Sequence, residues 1–175
     1  MTAAMRIRGP FGIALVMLAI AVSSIAGAFV FEALGYAPCE LCLKERIPYY
    51  AVIPIAGLAV LFAARGSKTL LHAAFSILAL IFSASAILGA YHAGIEWGFW
   101  PGPTECSGSL DHARSVADFL KQLQSVKVIR CDAPALRILG LSLAGWNALI
   151  SAGLAALALG RALNGYLVHA RRENR

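Results

Sequence analysis

Four long apolar runs, separated by polar segments, organise the chain. They cover residues 11–31, 47–64, 69–95 and 138–160, and none of them contains Asp, Glu, Lys or Arg. A helix that crosses the hydrocarbon core of a bilayer needs about 20 predominantly apolar residues. The pattern therefore predicts an all-α membrane protein, a four-transmembrane-helix bundle, with residues 1–175 forming a single membrane domain.

The first two runs need individual assignment. Arg6 and Arg8 precede the first run, as in a secretory signal, but its 21 residues exceed the about 7–15 of a signal's apolar region. We interpret it as a retained span. In the second run, Pro48 suits a first helical turn, and Pro54 predicts a kink.

Composition supports the membrane assignment and narrows the possible partners. Hydrophobic residues make up 59% of the chain and charged residues 14%, whereas soluble domains carry about 25% charged residues. The net charge of +6 comes from residues at the chain ends and between the runs, without a basic patch interleaved with aromatics. We therefore expect contact with membrane lipid and no nucleic-acid partner.

The distribution of Lys and Arg predicts the topology. Four spans place both termini on the same side of the membrane as the short connection at 65–68. This side carries eight Lys and Arg residues, and the loops at 32–46 and 96–137 on the opposite side carry seven. The basic residues of the connection and of the C-terminal tail lie close to the span ends, where they bias orientation most. We predict that both termini are cytoplasmic and that the two loops lie on the outer face.

All four cysteines fall in these two outer loops, which suggests an oxidising compartment or a redox function. They are Cys39 and Cys42 in the first loop, and Cys106 and Cys131 in the second. A bridge between Cys106 and Cys131 would close a polar loop. It would be either a static structural disulfide or one that is accessible to a partner thiol.

Cys39-Glu40-Leu41-Cys42 is a CxxC motif, which serves as a redox pair or as half of a zinc site. Attachment of haem would need His in place of Leu43. His112, near Cys106, leaves zinc open as an alternative. If the second helix starts near Leu41, Cys42 lies in its first turn, where backbone N–H groups and the helix dipole favour a thiolate.

Three ionisable residues lie beside this motif or at the same face. Arg46 follows Cys42 by one helical turn and would either add positive charge to it or extend toward the membrane surface. His92 lies near the end of the third run and Glu96 directly follows it, so both lie where this span reaches the outer face. An ionisable residue inside a membrane suggests function, although a lone histidine is often structural.

The long outer loop has its own pattern. Trp97, Phe99 and Trp100 directly follow the third run and predict an interfacial aromatic belt. Further along, the apolar periodicity of residues 111–124 predicts a short amphipathic helix, which would lie either on the membrane or over the end of the bundle.

Three segments resemble the disulfide bond formation protein B (DsbB) family. Pro38 to Arg46, PCELCLKER, resembles the family signature PCxLCxxxR, and YHAGIE at 91–96 and GLSLAGWN at 140–147 resemble other family segments. The likeness covers almost the whole chain. It implies a quinone-linked thiol oxidase in the bacterial inner membrane, with its cysteines in the periplasm.

The resemblance implies a relay through the two cysteine pairs. A Cys106–Cys131 disulfide would accept electrons from a soluble, DsbA-like thioredoxin-fold protein, whose thiol attacks Cys106. Cys131 would then exchange with Cys39. Cys42 would finally deliver the electrons to the quinone pool.

The resemblance also implies a site for ubiquinone or menaquinone. Arg46 would polarise the quinone head group beside Cys42, and we assign His92 and Glu96 to the same site from their position. Glu45 adds a negative charge next to it.

Two other function classes remain to be weighed against a thiol oxidase. One is a membrane scaffold or metal-binding protein with structural cysteines, which metal content would distinguish. The other is a small transporter, which would need polar groups at the bilayer midplane, where the runs offer only Asn147.

Overall fold

Four long helices make up most of the described structure. The computed structural model describes residues 9–103, 106, 115–117 and 129–173. The helices are α1 (Pro10–Ala33), α2 (Glu40–Arg65), α3 (Lys68–Glu96) and α4 (Leu143–Glu173), and a two-stranded antiparallel hairpin, β1 (Arg137–Ile138) and β2 (Leu141–Ser142), precedes α4. The predicted all-α architecture is confirmed.

Each of the four helices contains a segment that is long and apolar enough to cross a bilayer. In α4 this segment is Leu143–Asn164. The prediction of four transmembrane helices is therefore confirmed. Helix α2 begins at Glu40, well before the apolar run at 47–64, so Pro48 and Pro54 both lie in its interior and Pro48 is not in the first turn.

Local chemistry determines where α2 begins and ends. Cys39 is its N-cap, and the Cys39 sulfur accepts a hydrogen bond from the backbone N–H of Cys42, as the oxygen of a Ser or Asp cap would. Gly66 is its C-cap, with a left-handed φ of 72° that glycine adopts without steric cost. The chain reverses there, and α3 begins directly afterwards.

Helix α3 lies at the centre of the bundle, because it packs against both α2 and α4, while α1 packs on α2. Large apolar side chains of the first three helices, Met17, Val52, Phe75 and Phe82 among them, are almost completely buried in one core. The backbones of α3 and α4 approach each other closely at Gly89. A Cβ added to Gly89 would lie 2.9 Å from the backbone nitrogen of Ala148, so this helix pair needs a residue without a side chain.

The hairpin explains why α4 starts later than the apolar run that begins at Ile138. Leu139 and Gly140 both have positive φ, 54° and 83°, as the two central residues of a type I′ turn do. Ser142 then accepts a hydrogen bond from the Gly145 backbone N–H at 3.2 Å, which is an N-cap interaction. The indole of Trp146 donates back to the Ile138 carbonyl at 3.0 Å.

The aromatic residues after α3 fold back on the end of that helix. Trp100 stacks on Tyr91, with ring centroids 6.0 Å apart, and its indole donates to the Tyr91 carbonyl at 3.0 Å. Trp97 and Phe99 pack beside them and are half exposed or more. The predicted amphipathic helix over 111–124 lies outside the described residues except at 115–117, and it stays a prediction.

Candidate active site

Cys39 is the N-cap of helix α2. It lies at the end of the bundle where α2 begins and α3 ends, which we call the cysteine end. Cys39 and Cys42 are free thiols, the first buried and the second partly exposed. The backbone N–H of Cys42 donates to Cys39 Sγ at 3.2 Å. Cys42 lies in the first turn, as predicted, but the hydrogen bond that we expected to stabilise its thiolate is donated to Cys39 instead.

The surroundings of Cys39 favour its thiolate form. The pKa of Cys39 is lowered to about 5, chiefly because the Cys42 thiol donates a hydrogen bond to its sulfur. The Cys42 backbone N–H and the ring of His92 lower the pKa further, while burial raises it. Of the two sulfurs, Cys39 is therefore the one whose negative charge is stabilised before it meets an electrophile.

The imidazole of His92 bridges Cys39 and Glu45. Its Nε2 lies 3.6 Å from Cys39 Sγ, and its Nδ1 lies 2.6 Å from Glu45 Oε1. Because a carboxylate accepts hydrogen bonds, Nδ1 carries a proton and Nε2 faces the sulfur. The three residues form a thiol–imidazole–carboxylate series, an arrangement that activates nucleophiles in other enzymes.

A chain of hydrogen bonds continues from Glu45 into the bundle. The side-chain amide of Asn147 donates to Glu45 Oε2 at 2.8 Å, and the Tyr49 hydroxyl donates to Asn147 Oδ1 at 2.6 Å. Ser151 lies 3.1 Å from the Tyr49 hydroxyl and donates to Ser85 at 3.0 Å. Both serines are fully buried. The chain holds the Glu45 carboxylate in place and satisfies polar groups that burial would otherwise leave unpaired.

Glu96 lies one turn after His92 and is also buried. Its Oε1 is 4.0 Å from His92 Nε2, and its side chain is only 6% exposed. Among the described residues, Glu96 Oε2 has no hydrogen-bond partner. A buried carboxylate oxygen without a partner is costly, and it marks a place where a donor or a cation would be stabilised.

Cys106 and Cys131 form a disulfide, with Cα atoms 5.4 Å apart. The bridge packs in one buried cluster with Cys39, Leu41 and Ile95. Its two cysteines are only 6% and 2% exposed. The disulfide therefore adjoins the CxxC, and in this structure it is not accessible to a partner thiol.

Arg46 lies one turn after Cys42 and is held by α1. Its guanidinium donates to Glu32 Oε2 at 2.9 Å and lies over the ring of Phe29, 5.3 Å from the centroid. The ion pair and the cation–π contact fix the guanidinium at the cysteine end. This position differs from that of an arginine that extends freely toward the membrane surface.

A cavity of about 360 Å³ opens beside these groups, between α1, α2, the end of α3 and the start of α4. Cys42, Glu45, Arg46, His92 and Glu96 all contribute to its wall, and most of the remaining wall is apolar. An apolar cavity with a few polar groups at one end is typical of a site for a small organic molecule.

The structure brings all seven residues that the sequence suggested as site residues to the cysteine end. Cys39, Cys106 and Cys131 share the buried cluster, which Cys42 adjoins. Arg46, His92 and Glu96 line the adjacent cavity. Sequence reasoning missed the partnership of Glu45 with His92 and the roles of Tyr49 and Asn147. For Asn147 a signal existed, since it is a strongly polar side chain inside an apolar run.

The reduced CxxC could also hold a metal ion. Candidate ligand atoms of Cys39, Cys42 and His92 all lie within 4.8 Å of one another. Thiolates and imidazole are ligands that Zn²⁺ prefers. The residue types and their spacing therefore permit both redox chemistry and metal binding, although His112, the residue that suggested zinc from the sequence, lies outside the described residues.

One of the comparisons with known proteins identifies the family. Residues 11–160 match the family model described as disulfide bond formation protein DsbB. The chain is also 29% identical over 140 residues to the uncharacterized protein RP370 of Rickettsia prowazekii (strain Madrid E), an alignment that covers 78% of each chain. No solved structure matches the chain.

Proposed function

Because the chain belongs to the DsbB family of disulfide bond formation proteins, we propose that it is a protein-dithiol:quinone oxidoreductase. Membership of the family and four spanning helices make it a multi-pass membrane protein and a disulfide oxidoreductase. The proposal adds the two reaction partners. The electron donor is a DsbA-like thioredoxin-fold protein, and the acceptor is ubiquinone or menaquinone.

The observation that carries this proposal is the position of the cavity. Cys42 lies on the cavity wall, and Cys39 packs against the loop disulfide on the other side of the CxxC. The inner cysteine pair thus lies between a second disulfide and an apolar cavity that opens on the spanning helices. A dithiol in this position can receive electrons through the loop disulfide and pass them to a molecule that is bound in the cavity.

The relay balances as a series of thiol–disulfide exchanges. A thiolate of the partner attacks Cys106, which forms a mixed disulfide and releases Cys131. Cys131 attacks Cys39 of an oxidised CxxC and releases Cys42. The partner's second thiol then displaces Cys106, which pairs again with Cys131 and releases Cys39. The partner leaves with a new disulfide, and the CxxC holds the electron pair and the protons.

The burial of the loop disulfide adds a step to this relay. Cys106 is only 6% exposed, so it must become more exposed before a partner thiol can attack its sulfur. Cys131 already belongs to the same buried cluster as Cys39. The exchange between Cys131 and Cys39 therefore needs less movement than the attack of the partner's thiol on Cys106.

The residues around the cavity suit a quinone. A quinone that is bound there accepts two electrons and two protons, and these match what the Cys39–Cys42 dithiol releases when it becomes a disulfide. The Arg46 guanidinium is fixed at the cavity wall, where it can donate to a carbonyl oxygen. His92 and the unpartnered oxygen of Glu96 can hold or pass a proton beside the reacting sulfur.

The proposal includes an orientation in the membrane. The chain lies in the bacterial inner membrane as a single domain, with both termini in the cytoplasm and the cysteine end at the periplasm. Support comes from the basic residues at the other end of the bundle, where Arg65 and Lys68 flank the short connection between α2 and α3.

The competing function is a scaffold or metal-binding protein with structural cysteines. The cluster of Cys39, Cys42 and His92 supports metal binding, whereas free thiols beside an apolar cavity favour the oxidase. The two differ in one measurable property, because only an oxidase cycles Cys39 and Cys42 between dithiol and disulfide when quinone is added.

The experiment is quinone reduction by the purified protein in detergent, supplied with a reduced thioredoxin-fold dithiol protein. We expect turnover by the wild type with ubiquinone or menaquinone analogues. Cys42→Ser should abolish it and yet still form the mixed disulfide at Cys106, which serves as the control for folding. Absence of turnover with either quinone by correctly folded wild type would overturn the proposal.

A further inference from the structure

The reduced CxxC, His92 and Glu96 together have the composition of a cation site. The candidate ligand atoms of Cys39, Cys42 and His92 lie within 4.8 Å of one another, and Cys39 Sγ is 3.6 Å from His92 Nε2. In tetrahedral zinc sites, Zn–S bonds of about 2.3 Å and Zn–N bonds of about 2.0 Å place the ligand atoms roughly 3.5 Å apart. The sulfur and the nitrogen already have this separation.

The orientation of His92 is the one that a metal ligand needs. Its Nδ1 is hydrogen-bonded to Glu45 Oε1 at 2.6 Å, which leaves Nε2 as the nitrogen that faces the Cys39 sulfur. Ligating histidines in zinc sites almost always have such a carboxylate partner on the other nitrogen. Asn147 in turn holds Glu45, so the orientation is supported by a further layer of hydrogen bonds.

Glu96 provides an independent indication of a ligand. Its side chain is 94% buried, since only 6% of it is exposed, and its Oε1 lies 4.0 Å from His92 Nε2. Its other oxygen has no hydrogen-bond partner among the described residues. Glu96 lies outside the group of Cys39, Cys42 and His92 whose ligand atoms all lie within 4.8 Å of one another, so its carboxylate would have to move closer to complete a four-ligand set around a cation that the sulfurs and the imidazole hold.

We propose that the reduced protein binds Zn²⁺ or a similar soft divalent cation through Cys39, Cys42, His92 and Glu96, and that this binding blocks reoxidation of the CxxC. Binding releases to solvent the proton of the Cys42 thiol and any proton that His92 carries on Nε2, and it transfers no electrons. Oxidation of the pair to a disulfide removes both thiolate ligands, so the site exists only in the dithiol state. The block rests on the proposed oxidase function, whereas the binding does not.

The first test measures binding of Zn²⁺ alone, by competition with a chromophoric chelator, to reduced and to oxidised protein in detergent. Cys106→Ser/Cys131→Ser protein is measured in parallel, so that only the CxxC thiols contribute. We expect one Zn²⁺ per reduced chain and none per oxidised chain. Equal binding by both states, or no binding by a reduced protein with two titratable thiols, would overturn the site.

Variants identify the ligands. His92→Gln and Glu96→Gln should each weaken binding at least tenfold, and Glu45→Gln should weaken it by about 10–100-fold through the histidine. His72→Gln, at the opposite end of α3, is the matched control and should bind as the wild type does. Unchanged affinity in both His92→Gln and Glu96→Gln would refute the assignment.

The second test concerns the block. Added Zn²⁺ should stop quinone reduction by the wild type, and a chelator should restore it. Persistent turnover with Zn²⁺ bound would overturn the block and leave the site intact. A protein that binds Zn²⁺ only when reduced but never reduces quinone would instead overturn the oxidase and retain the site, so the two failures are distinguishable.

Discussion

Glu45 and His92, on neighbouring helices, are joined by a 2.6 Å hydrogen bond between Oε1 and Nδ1. The bond directs the other nitrogen of His92 to the sulfur of Cys39. Glu45, which directly precedes Arg46 in the sequence, thus orients the imidazole that faces the CxxC. The charge on Glu45 acts on the CxxC through this histidine.

Replacing Glu45 with Gln should therefore slow the oxidation of Cys39 and Cys42 by quinone. The amide keeps the shape of the side chain but loses the charge that stabilises a protonated Nδ1. We expect the rate of quinone reduction to fall at least about tenfold and its pH profile to shift. Glu40→Gln, at an exposed residue paired with Lys44, is the control. Matching pH profiles for wild type and Glu45→Gln would contradict this role.

The pKa of Cys39 predicts a pH dependence of the reduced protein. Thiolate ultraviolet absorbance should persist down to pH of about 5 and disappear below it. The folded pKa lies below the unfolded value of about 8.5. The thiolate therefore contributes stability that is fully present above the unfolded value and is lost as pH falls through the folded one.

Variants at Cys42 test the cause of that shift. Cys42→Ala removes the thiol donor, the largest contribution to the lowered pKa, and should raise the pH at which the absorbance is lost. Cys42→Ser keeps a hydrogen-bond donor and should raise the pH of this loss by a smaller amount. If Ala and Ser gave the same titration, the hydrogen bond from the Cys42 side chain would not be the cause.

Tyr49→Phe should destabilise the bundle. The change removes the 2.6 Å donor to Asn147 Oδ1, which keeps only the longer 3.3 Å hydrogen bond from Ser151, and it removes a partner of the buried Ser151. The loss of a buried hydrogen bond costs about 0.5–1.5 kcal/mol. Thermal unfolding in detergent should show this loss, whereas Tyr50→Phe, at a half-exposed tyrosine, should unfold as the wild type does. Equal melting temperatures for the two variants would argue against the network as a source of stability.

Gly89→Ala should weaken the packing of α3 against α4. The new Cβ would lie 2.9 Å from the backbone nitrogen of Ala148, and a backbone cannot move aside as a flexible side chain can. Overpacking of this kind costs about 1–3 kcal/mol. The control is Gly57→Ala, where a Cβ meets nothing within 4 Å. A Gly89→Ala protein as heat-stable as Gly57→Ala would show that the helices separate without cost.

The relay order predicts which cysteine captures the partner. In Cys131→Ala protein, Cys106 has lost its bridge partner, and we expect a stable mixed disulfide with the thioredoxin-fold oxidant, seen on non-reducing gels. In Cys106→Ala protein we expect much less of this mixed disulfide. Capture on Cys131 alone would reverse the assignment of the two cysteines.

The elements that the sequence predicted well are those that depend on local composition. Uncharged runs of sufficient length identified the four spans, because a bilayer selects segments by hydropathy alone. The expected start of the second helix near Leu41 likewise placed Cys42 in the first turn of α2, which begins at Glu40. The start of α4 was misplaced, because residues 138–142 are apolar enough for a span and yet form a hairpin with two positive φ angles.

The contacts of the site depended on the tertiary structure. Cys39 and His92 are 53 residues apart in sequence, and Glu45 and His92 are 47 apart. Whether they meet depends on how each helix is rotated about its axis, and packing of the whole bundle determines that rotation. The sequence by itself thus determined the spans, the cysteine pairs and their common end of the bundle. Only the tertiary structure decided that His92 faces Cys39, that Glu45 orients His92, and that the loop disulfide is buried against the CxxC, because each of these is a contact between distant segments.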